Sequence, residues 1–282
     1  MPIDGKVRIA AIGDLHCRVD KQGNYRRLVD AVNERACDVL LLCGDLTDHG
    51  HLDEAELLAE SLAGVRAPKI GVLGNHDHEA GQATEIRRIL RQGGIHILDG
   101  DHFELKGHVI GFAGAKGFGG GFDKATLQGF GEEGIKIFVQ EALQESLKLE
   151  TALLRVDAPI KVAITHYAPI RATVVGENPE IFPFLGSSRL AEALDKHGAA
   201  MCFHGHAHYG THEGRTPGGV PVYNVALPLL RRADPDRRIF IVEIPIPAGA
   251  GRPAGGGSAV VTPADLQPRD RPGELEGEPQ PG

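Results

Sequence analysis

Cysteine pairs, long apolar runs and a surplus of positive charge are all missing from this 282-residue chain. None of the four cysteines belongs to a C-x-x-C pair, which favours buried free thiols in a reducing cytosol. No apolar run approaches the roughly 18 residues that a membrane-spanning helix needs. The amino terminus carries no basic, apolar and cleavable signal segment. We therefore expect a cytoplasmic protein without a membrane partner.

The charge and the composition narrow the class of protein further. A net charge of −8 argues against a broad nucleic-acid-binding face, which would favour a basic patch. Hydrophobic residues make up 41% and charged residues 24%, as is ordinary for a globular enzyme. Residues 247–282 are rich in Gly and Pro and bury too little apolar surface to offset the entropy of ordering. We predict one folded domain over residues 1–246 and a disordered tail over 247–282.

Apolar runs of strand length recur along the chain, and helix-like segments separate several of them. Strand and helix alternate in the first third, which predicts a parallel sheet, and the strand-rich later part predicts a second sheet packed on the first. The predicted strands are Val7–Ile12, Val39–Cys43, Ile70–Leu73, His108–Ala113, Lys161–Thr165, Ala200–Phe203, Val220–Ala226 and Ile239–Ile244. The predicted helices are Asn24–Ala36, Asp53–Gly64, Thr84–Gln92, Ile135–Val156 and Ser187–His197.

Five short polar motifs each follow one of these apolar runs. Ligands in parallel sheets bind beyond the carboxyl ends of the strands, so side chains placed there can meet. Imidazole, carboxylate and amide groups are ligands for divalent metal ions, and two such ions form a recurrent centre for cleaving phosphate esters. The motifs are Asp14-Leu15-His16, Gly44-Asp45, Gly74-Asn75-His76-Asp77, Thr165-His166 and Gly205-His206-Ala207-His208.

The spacing within the motifs predicts which side chains share a metal. Residues two apart on an extended chain point to the same side, so Asp14 and His16 can bind one ion. The same reasoning pairs His206 with His208 and leaves out His204, which would point the other way. The carboxylate of Asp45 has two oxygens and could bridge two ions.

The motif Gly74–Asp77 adds groups for catalysis. Asn75 offers a neutral amide oxygen to a metal, and the next side chain, His76, must point elsewhere. We predict that Asp77 accepts a hydrogen bond from His76 and keeps that ring protonated. A charged imidazole would stabilise negative charge and donate a proton to the leaving oxygen.

In this order the motifs resemble the pattern D-x-H, G-D, G-N-H-[DE], H and G-H-x-H of the calcineurin-like metallophosphoesterase superfamily, in its bacterial single-domain form. The resemblance implies an α/β fold, a four-layer αββα sandwich of two mixed sheets with flanking helices. It also implies two metal ions drawn from manganese, iron and zinc, and a catalytic His76 oriented by Asp77. One ion would be held by Asp14, His16, Asp45 and His208. The other would be held by Asp45, Asn75, His166 and His206.

The implied activity is hydrolysis of phosphodiester or phosphomonoester bonds of a small substrate by attack of a metal-bridging hydroxide. The segment Gly44–Asp48 and the chain length look like bacterial cyclic-nucleotide phosphodiesterases of this family. The chain departs from them at His166-Tyr167-Ala168-Pro169, where those enzymes often have His-His-Pro-Pro. A protein phosphatase or a nuclease is the alternative within the superfamily. A non-catalytic scaffold is a more distant alternative, since scaffolds lose ligands that this chain keeps. The oligomeric state stays open.

Several other residues have two interpretations each. The Gly-rich segment Gly114–Phe122 is either a mobile loop that closes on substrate through Phe118 or Phe122, or a flexible surface turn. Asn178–Leu185 is a substrate wall, a dimer contact or local packing. Arg231 and Arg232 either bind phosphate or form a surface basic pair.

Overall fold

The computed structural model describes residues 5–20, 25–105 and 109–246, and within these ranges the chain forms two mixed sheets flanked by helices. The strands are β1 (Lys6–Ile12), β2 (Val39–Cys43), β3 (Lys69–Val72), β4 (Ile95–Ile97), β5 (Asp101–Glu104), β6 (Ile110–Gly114), β7 (Ile160–Ile164), β8 (Met201–His204), β9 (Glu213–Arg215), β10 (Pro221–Asn224) and β11 (Phe240–Pro245). The helices are α1 (Tyr25–Glu34), α2 (Leu52–Ser61), α3 (Ala83–Gln92), α4 (Glu133–Arg155), α5 (Phe182–Leu185), α6 (Ser188–Lys196) and α7 (Leu227–Ala233).

The strand order brings the carboxyl ends of the central strands to common edges. The first sheet has the order β11-β1-β2-β3-β4, and the second has the order β5-β6-β7-β8-β10-β9. The neighbours β1, β2, β3 and β4 are parallel, as are β6, β7, β8 and β10, whereas β11, β5 and β9 are antiparallel edge strands. The two sheets also touch where Gly13 N–H donates to Val225 O at 2.9 Å. The segments after β1 and β10 are thereby joined.

Apolar side chains divide the molecule into four layers. A buried cluster between the sheets joins residues such as Leu41 and Ile70 to Phe112 and Phe203. A second cluster packs the opposite face of the first sheet against α1, α2 and α3. A third packs the second sheet against α4 and α6. The predicted αββα sandwich is therefore confirmed, because each sheet buries one face against its partner and the other against helices.

The predicted helices and long strands are present, and the structure adds short elements. The segment around Ile135–Val156 is one unbroken helix, α4. Ser187 caps α6, as its sequence suggested, by accepting a hydrogen bond from Arg189 N–H at 3.3 Å. The strands β4, β5 and β9, which have three or four residues each, were not predicted from the sequence, and neither were the helices α5 and α7. The start of the predicted strand His108–Ala113 lies outside the described residues.

Three further expectations concern the whole chain. The described residues contain no helix that is both long and apolar enough to cross a membrane. All four cysteines are free, and Cys17, Cys43 and Cys202 are buried. The predicted tail over 247–282 lies outside the described residues, so the domain boundary stays a prediction.

Candidate metal centre

All five motifs lie together at the carboxyl ends of parallel strands. Asp14 and His16 follow β1, Asp45 follows β2, and Asn75 follows β3. The remaining imidazoles, those of His166, His206 and His208, follow β7 and β8 of the other sheet. Ligand atoms of Asp14, His16 and His208 lie within 4.8 Å of one another, and so do those of Asp45, His166 and His206. The structure thus brings the predicted ligands into two adjacent groups.

The backbone at this edge is not extended, contrary to the reasoning that paired Asp14 with His16. Their φ angles are +57° and +44°, and those of Asp45 and His206 are +49° and +68°. These values lie in the left-handed region, which costs a residue other than glycine about 1–2 kcal/mol. Hydrogen bonds between the loops stabilise it, such as His16 N–H to Asp45 O at 3.0 Å. The side chains therefore converge because the backbone turns tightly at these residues, and not because side chains alternate along an extended strand.

The His166 site consists of Asp45, Asn75, His166 and His206. The ring of His166 is fully buried, and its Nδ1 donates to Cys43 O at 2.9 Å. Nε2 of that ring lies 2.9 Å from Asn75 Oδ1 and 3.3 Å from Asp45 Oδ1. Both oxygens are acceptors, so this cluster requires a cation among its atoms, either a proton on Nε2 or a metal ion.

Charges at the His166 site reinforce each other. Burial opposes a charged ring at His166, but Asp45, Asp14 and the bond to Cys43 together raise its pKa to about 9. Burial likewise opposes ionisation of Asp45, and His166 outweighs it and holds the pKa of that carboxyl well below its usual range. The protein therefore keeps a negative carboxylate next to a site that attracts positive charge.

His206 is protonated on one ring nitrogen only, as a histidine that binds a metal ion is. Burial, with the nearby His166, lowers its pKa to about 3, so the ring is neutral at pH 7. Its Nε2 lies 3.3 Å from Phe184 O and donates to it, which leaves a lone pair on Nδ1. Histidines that bind metals usually donate their second ring N–H to a carbonyl or carboxylate in this way. The residues of the His166 site therefore fit a bound divalent metal ion.

The His16 site consists of Asp14, His16, Asp45 and His208 and is more open. The side chains of His16 and His208 are 19% and 33% exposed. Nε2 of His208 lies 2.9 Å from Asp14 Oδ1, and Nε2 of His16 lies 3.8 Å from Asp45 Oδ2. Neither ring nitrogen of His16 has an aligned hydrogen-bond partner, although both are buried. Buried nitrogens without partners next to carboxylates also fit a metal ion.

His76 has a different partner from the one predicted. Its Nδ1 lies 2.6 Å from the backbone oxygen of Asp48 and donates to it, so the predicted hydrogen bond to Asp77 is wrong. The ring of His76 stands 4.6 Å from the ring of His16, centroid to centroid, and its side chain is 37% exposed. Asp48 also places its Oδ1 3.0 Å from His16 Nδ1. Asp48 thus lies against both rings, and it accepts a hydrogen bond from that of His76.

Asp77 joins two loops instead. Its buried carboxylate accepts from Leu46 N–H at 3.1 Å, Thr47 N–H at 2.8 Å, the Thr47 hydroxyl at 2.6 Å and Gly74 N–H at 2.8 Å. These donors belong to the segments after β2 and β3, which carry Asp45 and Asn75. Asp77 therefore fixes the spacing of two candidate ligands, and a local sequence pattern could not show this.

Two glycines of the motifs make room for ligand carboxylates. A Cβ on Gly74 would collide with Asp45 Oδ1 and N, and a Cβ on Gly205 would collide with Asp14 Oδ2. Any larger residue at either position would therefore displace a candidate ligand.

Comparison with known proteins assigns the family. The calcineurin-like phosphoesterase model matches residues 7–210. The chain belongs to the calcineurin-like phosphoesterase family. It is accordingly a hydrolase of phosphoric ester bonds, and its family is metal-dependent.

The phosphoesterase is similar to known proteins in sequence and in structure. It is 36% identical over 87 residues to a probable cyclic nucleotide phosphodiesterase of Synechococcus, covering 28% of this chain and 34% of that relative. Phosphopantetheinyl hydrolase of Mycobacterium tuberculosis superposes with a TM-score of 0.54 at 16% identity, covering 82% of this chain and 94% of that one. The anchor in the inner membrane complex of Plasmodium gives 0.54 at 11% identity, covering 85% and 81%. These low identities show a common fold alone.

The Gly-rich segment of this phosphoesterase fits neither of its predicted roles. Gly117, Gly119, Gly120 and Gly121 are buried, and Gly121 N–H donates to Gly186 O at 2.9 Å. A Cβ on three of the four would approach neighbouring atoms to less than 3.0 Å. The segment is therefore a buried and tightly packed stretch of chain rather than an exposed turn or a lid.

The two other ambiguous segments are also placed. Asn178–Leu185 runs beside the His166 site, where Phe184 O contacts His206 and the Phe184 side chain is 58% exposed. This favours the substrate-wall interpretation. Arg231 and Arg232 lie on α7, and Arg232 donates to Tyr209 O at 3.3 Å. Arg232 thus holds the loop that follows His208.

A cavity of about 560 Å³, which was not predicted from the sequence, adjoins the His166 site. Its lining includes Asn75, Lys116, Phe118, Phe138 and Tyr167. The helical spacing of α4 was visible in the sequence, but the motifs gave no reason to place one face of that helix beside the metal centre.

Proposed function

We propose that this phosphoesterase is a dinuclear-metal phosphodiesterase that acts on a small molecule. The observation that carries the proposal is the cluster of acceptors at the His166 site. Nε2 of His166 faces Asn75 Oδ1 at 2.9 Å and Asp45 Oδ1 at 3.3 Å, while its Nδ1 is already used by a carbonyl. Such an arrangement is suited to a metal cation.

Asp45 would be shared by the two ions. Its Oδ1 faces the His166 site and its Oδ2 faces His16 at 3.8 Å. The remaining proposed ligands are Asn75, His166 and His206 for one ion and Asp14, His16 and His208 for the other. When bound, two divalent ions supply an activated water and neutralise charge on the phosphoryl oxygens. The identity of the metal, among manganese, iron and zinc, is left to elemental analysis.

His76 is the proposed proton donor. Hydrolysis joins water to phosphorus and breaks the phosphorus–oxygen bond of the leaving alcohol, which must gain a proton. Nδ1 of His76 is fixed by Asp48 O at 2.6 Å, so Nε2 is the atom available to give that proton. The ring also lies within ligand distance of His16 and Asp45, so its role needs a test that separates catalysis from metal binding.

The preference for a diester and a small substrate rests on two observations. The Synechococcus relative is named a probable cyclic nucleotide phosphodiesterase, although only 34% of it is matched. The cavity beside the metal centre has a volume of about 560 Å³, a size that suits a small organic group. We therefore propose cyclic nucleotides or similar diesters as substrates, and a cytoplasmic location stays a prediction.

The test combines metal content with three substrates. Protein expressed with added Mn²⁺ is analysed for metal and assayed with bis(p-nitrophenyl) phosphate, p-nitrophenyl phosphate and cyclic nucleotides. We expect about two metal ions per chain and faster cleavage of diesters than of the monoester. His76→Ala should keep the metal and lose about 10²-fold or more in kcat, a size typical of general acid catalysis. Monoester cleavage without diester cleavage, or no bound metal, contradicts the proposal.

A further inference from the structure

We propose that Lys116 binds a second anionic group of the substrate in the cavity beside the His166 site. The substrate class is a phosphodiester that also carries an aromatic ring and a further phosphate. The inference rests on the proposed phosphodiesterase function, because it assumes that the scissile phosphate lies at the metal centre.

The cavity opens directly from the proposed ligands. Asn75 lines it and also contacts His166, and Tyr167 lines it and follows His166 in the chain. The ring of Tyr167 lies 4.4 Å from the ring of His206, centroid to centroid. A substrate whose phosphate occupies the metal centre would therefore extend its organic part past Tyr167 into this cavity.

Most charges in the cavity are already compensated. Nζ of Lys148 lies 2.7 Å from Glu145 Oε1 and 3.0 Å from Asp99 Oδ1. Glu145 is buried and also accepts from Gly117 N–H at 2.9 Å. Asp99 in turn pairs with Arg87 at 2.6 Å. These groups form a satisfied network and have little attraction left for a ligand.

The carboxylate of Glu141 also lines the cavity and has no cation of the described ranges within 4.0 Å. Among the cations of the cavity, Lys116 is the exception. Its Nζ donates to Gly117 O at 2.9 Å, and no carboxylate of the described ranges lies within 4.0 Å of it. The ammonium lies 4.8 Å from the ring centroid of Phe118 and 5.3 Å from that of Tyr167. Burial lowers the pKa of Lys116, partly opposed by Glu145 and Glu141. A buried charge is normally paired, so this cation has unused donors that suit an incoming anion.

Aromatic rings next to Lys116 supply the second half of the recognition. Phe118 contacts Phe138 with ring centroids 4.9 Å apart, and Phe138 contacts Phe184 at 5.9 Å. Phe118 and Phe138 line the cavity from the Gly-rich segment and from α4, and they offer apolar faces on which a planar base can stack. A cation beside stacked rings matches a nucleotide that carries an additional phosphate.

The test uses two dinucleotides that differ by one phosphate. Adenylyl-(3′→5′)-adenosine and its 5′-phosphorylated form are compared by kcat/KM in the Mn²⁺-loaded enzyme. We expect the phosphorylated form to be preferred by about tenfold, since hydrogen bonds to charged groups are among the stronger ones. Lys116→Met should abolish the preference, and Lys116→Arg should keep most of it.

Two further variants serve as controls. Lys124→Met removes the same charge from an exposed position outside the cavity and should leave the preference unchanged. Phe138→Leu should raise KM for both dinucleotides without changing their ratio. If Lys116→Met does not fold, Lys116→Gln replaces it.

The outcomes separate this inference from the proposed function. Equal cleavage of the two dinucleotides, or cleavage of neither, by an enzyme that hydrolyses bis(p-nitrophenyl) phosphate overturns the role of Lys116 and leaves the phosphodiesterase in place. A preference that survives Lys116→Met also overturns it. Loss of metal and of all diester cleavage in the unmodified enzyme would instead contradict the proposed function.

Discussion

The two halves of the metal centre differ in what holds their imidazole rings. At the His166 site, the second nitrogens of His166 and His206 donate to backbone carbonyls, those of Cys43 and Phe184. At the His16 site, His208 contacts the carboxylate of Asp14, itself a candidate ligand, and His16 lacks an aligned partner. Rings fixed by other groups need little rearrangement to accept a metal. We therefore expect the His166 site to bind its ion more tightly than the His16 site.

The largest effect is expected at the residue that the two sites share. Asp45→Asn removes the charge that faces both groups of ligands, and charge stabilisation by metals is worth several kcal/mol in a transition state. Because about 1.4 kcal/mol corresponds to a tenfold change, kcat should fall by about 10³-fold. Elemental analysis should show loss of both ions. Retention of one tightly bound ion would argue against a bridging carboxylate.

The second prediction separates the sites directly. At limiting Mn²⁺, His208→Ala should keep about one ion per chain, because the His166 site remains intact. His166→Ala should keep less, since it removes the ring from the better supported site. Equilibrium dialysis followed by elemental analysis measures both. Equal losses of Mn²⁺ from the two variants would show that hydrogen bonds from the rings to backbone carbonyls do not make the His166 site the tighter of the two.

A smaller effect is expected from Asp48, whose carboxylate lies beside the ring of His16. Asp48→Asn keeps the backbone oxygen on His76 but removes the carboxylate that lies 3.0 Å from His16 Nδ1. Changes to such supporting groups typically cost about 10–100-fold in metal affinity or activity. The loss should appear in the weaker of two Mn²⁺ dissociation constants. Asp30→Asn, at an exposed surface ion pair, is the matched control and should change neither constant.

The smallest effect on catalysis is expected at Asp77. Asp77→Asn places an amide N–H₂ against backbone donors of Leu46 or Gly74, so the folded protein should lose about 2 kcal/mol of stability. Urea unfolding measures this loss, and kcat of the folded protein should change less than in Asp48→Asn. A large fall in kcat with unchanged stability would restore a direct role of Asp77 at His76.

Sequence patterns predicted the long elements well, for a physical reason. Central strands such as β2 are buried on both faces and appear as continuous apolar runs. Edge strands do not, and β5 has the mixed sequence Asp-His-Phe-Glu because only alternate residues are covered. The helix α7 begins with Leu-Pro-Leu-Leu directly after a predicted strand, and its seven residues are too few to show a helical period. Short elements depend on their neighbours more than on their own pattern.

By itself, the sequence determined the types of ligand and their place at strand ends, because each motif lies next to the apolar run that carries it. Only the tertiary structure decided how the rings are held. His166 depends on Cys43, 123 positions away, and His76 on Asp48, 28 positions away, and no local pattern encodes such pairs. Nor could the sequence show how Lys116 is paired, because that depends on whether other elements place a carboxylate near its ammonium group. Burial and contact between distant segments, rather than residue type, set the roles of these groups.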